Sequence, residues 1–391
     1  MSIDAREAFF SPVPRGLEEL LVEELRALGA GDPQPVQGGG GVEWHGDWPT
    51  CWRINLESRL ATRVLWRVGN SRYRGEADIY RFANRLTWAK WFTPDETIRV
   101  FVTARQSPLK SLEFVTLRIK DAVCDHFRAV HGSRPSVDTV HPSVRIHAFL
   151  DRDTVTLYLD TSGEALYKRG FKPGTVEAPL KENLAAGILR LSGWRADADE
   201  PLIDPMCGSG TFLIEAAQMA LDIAPGLGRQ FAFEHLRSFD ARAWAAIRKA
   251  AEARRRPVRA LPIHGSDIAG GQLRRARENL AAAGLESCVT LSMADLLEVQ
   301  PPAAGGVMVT NPPYGVRLGE AEELAAFYPR LGDALKQRWA GWRCYFLSSD
   351  MNLPRAIGLK ASRRTPLFNG ALECRLFEYK MVSGSHRMPG R

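Results

Sequence analysis

Residues 310–318, TNPPYGVRL, bring an asparagine, two prolines and a tyrosine together directly after the apolar run GVMVT. Each proline lacks a backbone donor and fixes φ, and Asn311 is pushed towards extended geometry, so the segment predicts a stiff loop after a strand. The Asn311 side-chain oxygen and the Pro312 carbonyl are acceptors that can grip both hydrogens of a planar –NH2 group. Tyr314 offers a stacking face for the ring that carries the amine. The predicted chemistry is presentation of a weakly nucleophilic amine to an electrophile, with a structural proline turn as the alternative.

A glycine loop, DPMCGSGTF at residues 204–212, lies between a strand pattern and a helical pattern. Gly208 and Gly210 allow the backbone to come close to a ligand, and the helix beyond presents free N–H groups. The loop matches neither the G-x-G-x-x-G fingerprint nor the phosphate loop that ends in G-K-[ST]. It predicts a ligand-binding loop, with a plain strand–helix turn as the alternative.

Two aspartates end the next two strand patterns, Asp267 in GSDI and Asp295 in MADL. A carboxylate at the first position can accept hydrogen bonds from a ribose diol, as acidic residues do there in nucleotide-binding folds. A carboxylate at the second can accept from the exocyclic amine of adenine. Each aspartate is also a candidate helix N-cap, and for Asp267 the two interpretations are compatible.

The elements that must position these loops alternate along the back half of the chain. Strand patterns at LPIHGSDI, CVTLSMADL, GVMVT and RCYFLSSD are separated by helical patterns such as TFLIEAAQMALDIA and GGQLRRARENLAAAG. This order predicts an α/β fold with a doubly wound, mainly parallel sheet, in which ligands bind at the carboxyl ends of the strands. All four loops follow such ends, so we expect them to share one edge of the sheet.

The front half has an α+β pattern. VRIHAFLDRDTVTLYLDTSG alternates in the manner of a β-hairpin. SLEFVTLRIKDAVCDHFRAVHG has helical spacing, and it predicts five inward-facing residues, Phe114, Leu117, Ile119, Val123 and Phe127.

Charge and cysteine usage limit the class of function. The 391 residues include 52 Lys and Arg against 45 Asp and Glu, a formal charge of +7 that fits a polyanionic partner without requiring one. The six cysteines form no C-x-x-C pair, which favours reduced thiols over a zinc site or a disulfide framework. The sequence shows no signal-peptide pattern and no apolar stretch long enough to span a membrane. We expect a cytoplasmic protein that binds no metal and no membrane.

DPMCGSGT, NPPYG and the two strand-end aspartates resemble the motifs of class I S-adenosylmethionine-dependent amino-methyltransferases, and APLKENLAA is similar to the helix beside the methionine part of the cofactor. PRGLEELLVEELRALG, SRLATRVL, RIKDAVCDHFR, RPSVD and LDTSGEALYKRGFK resemble a ferredoxin-like domain followed by a THUMP RNA-binding domain. Over nearly its full length the chain resembles the bacterial 23S ribosomal RNA guanine-N2 methyltransferases. Longer members carry a second methyltransferase domain, so only the first domain and one activity are expected here.

The resemblance implies four segments. They are a ferredoxin-like domain at 1–68, a THUMP RNA-binding domain at 69–165, a Rossmann-like methyltransferase domain at 166–384 and a flexible tail at 385–391.

The resemblance also implies roles for individual residues. The target amine would be held by Asn311, Pro312, Pro313 and Tyr314. S-adenosylmethionine would be bound by Asp204, Met206, Cys207, Gly208, Gly210, Thr211, Asp267, Ile268, Asp295, Leu296 and Asn311. A closing hairpin would bring Phe368 and Asn369 near a flipped base, with core packing as the alternative for Phe368. Basic residues expected to contact RNA phosphates are Lys168, Arg169, Lys172 and Arg317.

The implied function is methylation of the exocyclic N2 amine of a guanosine in ribosomal RNA, free or in a pre-ribosomal particle, with the base flipped into the NPPY pocket. One alternative is another amine: guanine in transfer RNA, adenine in DNA or RNA, or a glutamine side chain. The RNA-binding front half argues against DNA. A second alternative is a non-catalytic RNA-binding or ribosome-assembly protein, which the intact acidic and NPPY positions disfavour. Thiouridine-forming THUMP enzymes are disfavoured because no pyrophosphatase loop and no catalytic cysteines are visible.

Overall fold

The computed structural model describes residues 5–171, 180–312 and 320–382, without the side chains of residues 320–325. The predicted tail at 385–391 lies outside this part of the chain. The chain forms two compact units. The front unit comprises Met1–Val13, Glu18–Leu166 and Pro225–Ala253, and the back unit comprises Pro14–Leu17, Tyr167–Ala224 and Arg254–Arg391.

The front unit is built on one mixed eight-stranded sheet. Its strands and helices are β1 (Glu7–Pro12), α1 (Glu18–Ala27), β2 (Gly31–Pro35), β3 (Gly41–Gly46), α2 (Trp48–Glu57), β4 (Leu65–Arg72), α3 (Glu76–Arg85), β5 (Thr97–Arg105), α4 (Leu112–His131), β6 (Ser136–Val137), β7 (Val144–Asp151) and β8 (Thr154–Asp160). The strand order is β2-β3-β1-β4-β8-β7-β5-β6. Because β4 pairs with both β1 and β8, it joins the two halves of this sheet.

The predicted hairpin is confirmed, because β7 and β8 pair antiparallel from Ile146 opposite Leu159 to Asp151 opposite Thr154. The predicted inward face of α4 is wrong at two positions. Phe114 and Leu117 are 49% and 48% exposed. The buried stripe keeps the predicted Ile119, Val123 and Phe127 and includes Val115 and Ala122 in place of Phe114 and Leu117. Their three- to four-residue spacing keeps them on one helix face.

Aromatic side chains fill the core of the front unit. Phe9 stacks on Trp44 with ring centroids 4.4 Å apart, and Trp48 meets the edge of Trp66 at 5.0 Å. The sequence pattern placed residues 225–253 with the back half, but this segment packs with the front unit. There, the Phe233 ring lies 5.9 Å from Trp52.

A buried carboxylate fixes the end of β8. The Asp160 side chain is fully buried and accepts hydrogen bonds from the Arg63 guanidinium at 2.5 Å and the Ser162 N–H at 2.8 Å. Burial alone would raise the pKa of Asp160, but hydrogen bonding from His147, the charge of Arg63 and the Ser162 bond outweigh it, so this pKa lies below its usual value. The carboxylate is therefore ionised and paired in the folded protein.

We expect Asp160→Asn to lower the free energy of unfolding by about 2–3 kcal/mol at pH 7, because hydrogen bonds to an ionised group are lost. A lowered folded-state pKa stabilises the fold above the unfolded pKa, and this contribution disappears as pH falls through the folded pKa. The difference between variant and wild type should thus shrink at pH 3. Urea unfolding at both pH values measures it. Asp153→Ala, on the exposed β7–β8 turn, serves as control, and an equal loss in both variants would contradict the prediction.

The rest of the chain supplies the back unit and one helix of the front unit. Its elements are α5 (Glu182–Leu191), β9 (Leu202–Asp204), α6 (Thr211–Ala220), α7 (Ala241–Arg254), β10 (Ile263–Asp267), α8 (Gly270–Ala282), β11 (Thr290–Met293), β12 (Gly306–Thr310), α9 (Glu320–Arg338), β13 (Trp342–Ser348), α10 (Leu353–Ile357), β14 (Arg363–Asn369) and β15 (Leu372–Lys380). Of these, α7 packs almost entirely with the front unit.

The back unit contains a seven-stranded sheet in the order β11-β10-β9-β12-β13-β15-β14. The first five strands in this order are parallel, while β15 runs antiparallel to β13 and to β14. The predicted doubly wound, mainly parallel sheet is confirmed. Its central strands β9 and β12 are buried at every residue, whereas the edge strands β11 and β14 are largely exposed. Among the helices of the described ranges, none is long and apolar enough to cross a membrane.

Candidate functional site

The chain reverses direction across the sheet between β9 and β12. β9 pairs with β10 on one side and with β12 on the other, so this is the topological switch point where open α/β sheets bind ligands. Asp204 is the last residue of β9, and Asn311 directly follows β12. In the register of these paired strands Asp204 lies opposite Val309, so Asn311 lies two residues further along the carboxyl edge of the adjacent strand.

The glycine loop follows β9. Gly208 has a φ of +52°, and a Cβ placed on it would have no heavy atom within 4 Å, so this part of the loop borders open space. Gly210 has a φ of +82° and precedes α6, and a Cβ there would lie 3.3 Å from the Ala276 side chain. The two positions thus require glycine for different structural reasons. Gly210 permits the close packing of α6 on α8, whereas Gly208 leaves room beside the loop.

Asp267, the last residue of β10, holds the glycine loop in place. One carboxylate oxygen accepts from the Gly208 N–H at 3.0 Å, and the other accepts from the Ala269 N–H at 2.9 Å. Asp267 is therefore not the N-cap of α8, a position taken by Ala269. Each carboxylate oxygen has a second lone pair, so these bonds leave capacity for a ligand hydroxyl.

Apolar side chains border this edge beyond Asp267. Ile268 is 70% exposed and Met293, the residue paired with Asp267 across β10 and β11, is 73% exposed. Exposed apolar side chains beside a carboxylate suit a flat ring with polar edges. Met293 was not singled out from the sequence, because only the strand register reveals its place opposite Asp267.

Asp295 lies two residues after β11 and is half-buried. Its carboxylate accepts from the Leu297 N–H at 2.9 Å, and its carbonyl accepts from the N–H groups of Glu298 and Val299. These bonds form a turn, and no helix follows, so the helix N-cap alternative does not apply here.

Several other predicted cofactor residues support the loop from within. The Met206 N–H donates to Asp204 at 3.2 Å, and the Met206 side chain packs against the core together with the buried Leu296. Thr211 is buried at the start of α6. Cys207 is buried, and burial is the main cause that raises the pKa of its thiol, so the sulfur stays neutral.

Asp204 is the most perturbed carboxyl group in this site. It is buried, and burial raises its pKa to about 7. The Met206 N–H and the nearby Thr310 hydroxyl oppose this rise, while the charge of Asp267 adds to it. Around neutral pH the group is therefore poised between its neutral and ionised forms.

We expect this carboxyl group to make the fold less stable as pH rises from 5 to 7. In that window the unfolded chain has released the proton and the folded chain keeps it, so the free energy of unfolding falls by up to about 1.4 kcal/mol per pH unit, and it levels off above pH 7. Asp204→Asn should lack this component. Urea unfolding of both proteins at pH 5, 6, 7 and 8 measures the difference. Parallel stability curves would contradict the prediction.

The structure describes only the first two residues of the NPPY motif, Asn311 and Pro312. Asn311 is half-buried and Pro312 is buried. Pro313, Tyr314, Arg317 and, in the connector, Lys172 lie outside the described residues, and their roles stay predictions. Within the described ranges no group of three or more His, Cys, Asp or Glu residues is placed to hold a metal ion.

The predicted RNA contacts separate into buried and accessible residues. Lys168 is exposed. Arg169 is not available, because its side chain is 1% exposed and its Nε donates to Glu215 on α6 at 3.1 Å. A guanidinium held in a buried ion pair does not contact phosphates, so the RNA-binding role predicted for Arg169 is corrected to a structural one. Phe368 and Asn369, at the end of β14, are both half-buried.

Three family models match the chain in the order of its segments. They are the RlmL ferredoxin-like domain over residues 8–65, the THUMP domain over residues 73–160 and the RMKL-like methyltransferase domain over residues 169–378. The crystal structure of SMU.472 complexed with SAH is 30% identical, with a TM-score of 0.87 over 97% of this chain and 99% of that one.

Two curated relatives are similar over almost all of this chain. The Synechocystis sp. protein slr0064, named a putative RNA methyltransferase, is 37% identical over 95% of this chain and 96% of its own length. The ribosomal RNA large subunit methyltransferase K/L of Syntrophotalea carbinolica is 40% identical over 97% of this chain and 54% of its own length, so this chain spans about half of that relative. The resemblance drawn from the motifs is confirmed, and the chain belongs to the RMKL-like methyltransferase family, with ferredoxin-like and THUMP domains preceding the methyltransferase domain.

Proposed function

We propose that this protein transfers the methyl group of S-adenosylmethionine to the exocyclic N2 amine of a guanosine in large-subunit ribosomal RNA. One observation carries the proposal. Asn311 follows β12 at the switch point, two residues beyond the position opposite Asp204, and the glycine loop and Asp267 lie along the same edge. An amine-binding corner and a nucleotide-binding edge therefore meet in one place.

The cofactor expected from the sequence, S-adenosylmethionine, is confirmed by the family and agrees with the SAH in the related crystal structure. This chain's own residues fit it, because the open space at Gly208 admits a ligand against the loop backbone. Asp267 has lone pairs for ribose hydroxyls, and exposed Ile268 and Met293 offer an apolar surface for adenine. When bound, the cofactor supplies an electrophilic methyl group on a cationic sulfur.

The amine is the weak partner in this reaction, since its lone pair is delocalised into the base. The Asn311 oxygen and the Pro312 carbonyl would each accept one of its hydrogens, which fixes the nitrogen in line with the methyl carbon. The N–C bond forms as the C–S bond breaks, the sulfur keeps the electron pair, and the extra proton leaves the product amine for water. The rate enhancement comes from positioning of the amine, which can lower the activation barrier by about 7–11 kcal/mol.

Guanine in RNA is the favoured source of the amine for two reasons. The THUMP model matches the front unit, and both curated relatives carry RNA methyltransferase names. A paired guanine hides its N2 amine in the minor groove, so the base has to leave the helix before transfer. Action in the cytoplasm, on free RNA or on a pre-ribosomal particle, belongs to the same proposal.

The test uses labelled cofactor and ribosomal RNA from a strain that lacks the gene. We expect tritium transfer to the large-subunit RNA, none to RNA from the parent strain, and N2-methylguanosine as the labelled nucleoside by mass spectrometry. If the labelled nucleoside is N6-methyladenosine, or if transfer RNA alone accepts the methyl group, the methyl acceptor is a different amine from the guanine of ribosomal RNA that we propose. No transfer to any RNA or DNA, together with no cofactor binding in calorimetry, would overturn the proposal.

A further inference from the structure

The turn between β14 and β15 lies on the same edge of the back sheet as the candidate site. β15 runs antiparallel to β13, with Arg375 opposite Ser348, the last residue of β13. The start of β15 is therefore at the carboxyl edge, and the turn that joins Asn369 to Leu372 projects from that edge. Three strand spacings separate β12 from β14, and the strand register places Asn369 four residues beyond the level of Asn311, so the turn lies roughly 20 Å from the Asn311 corner.

An arginine from far away in the sequence stacks on this hairpin. Gly16 has a φ of +94°, and a Cβ on it would lie 2.3 Å from the Pro366 carbonyl oxygen of β14, so the segment Pro14–Leu17 is seated closely on the strand. The neighbouring Arg15 is exposed, and its guanidinium lies 4.7 Å from the centroid of the Phe368 ring. A planar cation is thus held over a half-buried aromatic ring.

A second cation–aromatic pair lies beside the same turn. The Lys181 ammonium is 5.0 Å from the centroid of the Tyr167 ring. It is also 3.8 Å from the Cβ position of Gly370 at the tip of the hairpin. We call Arg15, Phe368, Tyr167 and Lys181 the hairpin platform.

The charge of the hairpin platform is positive. Within the described residues neither Arg15 nor Lys181 has a carboxylate partner. The acidic residue nearest in register to Phe368, Glu373, is paired with Arg375 at 2.8 Å. Aromatic rings covered by unpaired cations, half open to solvent, suit stacked bases with a phosphate backbone and do not suit an apolar partner.

We propose that the hairpin platform binds the single-stranded RNA that flanks the target nucleotide. This inference rests on the proposed function, because it concerns how that substrate reaches the same edge. A distance of roughly 20 Å from Asn311 fits flanking nucleotides of the same strand rather than the target base itself. Bases stack on the Arg15 guanidinium and on the Tyr167 ring, and both cations face the phosphates. The platform therefore acts on RNA affinity and leaves the transfer step unchanged.

The experiment uses the full-length double variant Arg15→Ala/Lys181→Ala. The matched control is Arg259→Ala/Lys336→Ala, which also removes one exposed arginine and one exposed lysine, but at the opposite edge of the sheet, before β10 and at the end of α9. The probes are a labelled mixed-sequence single-stranded RNA of ten nucleotides and a blunt RNA duplex of the same sequence. We expect the platform variant to bind the single strand about tenfold more weakly. The control variant should bind it as the wild type does.

Two further readouts separate this proposal from the others. The KM for ribosomal RNA should rise with kcat little changed, and the melting temperature and the affinity for S-adenosylmethionine should stay at wild-type values. Unchanged single-strand binding, or equal losses in the platform and control variants, overturns the platform while the proposed function stands. An equal loss for the duplex shows simple phosphate attraction and also overturns it. If no RNA is methylated but single-strand binding falls in the platform variant alone, the platform holds and the proposed function fails.

Discussion

Replacement of Asn311 by alanine should lower kcat for methyl transfer to ribosomal RNA by about 10²–10³-fold, the loss typical of removing one preorganised polar group from a reacting centre. Asn311 directly follows β12 where the sheet changes direction, two residues beyond the position opposite Asp204, so a central strand sets the position of its backbone. Without its oxygen, one amine hydrogen loses its acceptor and the nitrogen is no longer fixed in line with the methyl group. Single-turnover transfer of tritium, with saturating cofactor and RNA, measures the loss.

The matched control for this prediction is Asn352→Ala. Asn352 is an exposed asparagine beyond the end of the next strand, β13, and its side chain caps no helix. It should leave transfer unchanged. Calorimetry should give Asn311→Ala the wild-type affinity for S-adenosylmethionine, and Asn311→Asp should recover part of the rate because it keeps an oxygen acceptor. Wild-type kcat in Asn311→Ala would remove this residue from the mechanism. A loss of cofactor binding equal to the loss of rate would move it to the cofactor site.

The positions of the site loops could be predicted because they depend on local patterns. Strand and helix alternation is written into the spacing of apolar residues, and the chain order then requires the loops after β9, β10, β11 and β12 to share an edge. The sheet order agrees with this prediction. The roles of the glycine, aspartate and asparagine–proline residues in those loops can also be predicted, because they depend on the chemistry of the side chains.

The features that local pattern did not predict come from contacts between distant parts of the chain. Arg169 looks like an accessible cation in a basic connector, yet Glu215, 46 residues later, buries it in an ion pair. Likewise, residues 225–253 follow α6 in sequence but pack with the front unit through rings such as Phe233 against Trp52. The contact partners Glu215 and Trp52 are not indicated by residue spacing or composition, so the local sequence pattern cannot predict these contacts. Arg15 stacked on Phe368 belongs to the same class.

Substitution of Gly208 by valine should weaken the binding of S-adenosylmethionine about a hundredfold, equivalent to about 2.7 kcal/mol. A Cβ at Gly208 points into the open space beside the loop, where the cofactor is proposed to lie. A β-branched residue is also strained at a φ of +52°, and relief of that strain would pull the Gly208 N–H away from Asp267. Both effects act on the cofactor site, so transfer at low cofactor concentration should fall by the same factor. Calorimetry with S-adenosylmethionine gives the affinity directly.

Gly284→Val is the matched control, because Gly284 has a φ of +68° and equally open surroundings, but it lies after α8 and far along the chain from the cofactor loop. Backbone strain should cost each variant about 1–2 kcal/mol of stability. Only Gly208→Val should lose cofactor affinity as well. Equal affinity losses would assign the effect to strain in the back unit, since the two glycines share nothing but their backbone geometry. Wild-type affinity in Gly208→Val would mean that the space beside this loop is not where the cofactor binds, and the proposed cofactor site along the glycine loop and Asp267 would be contradicted.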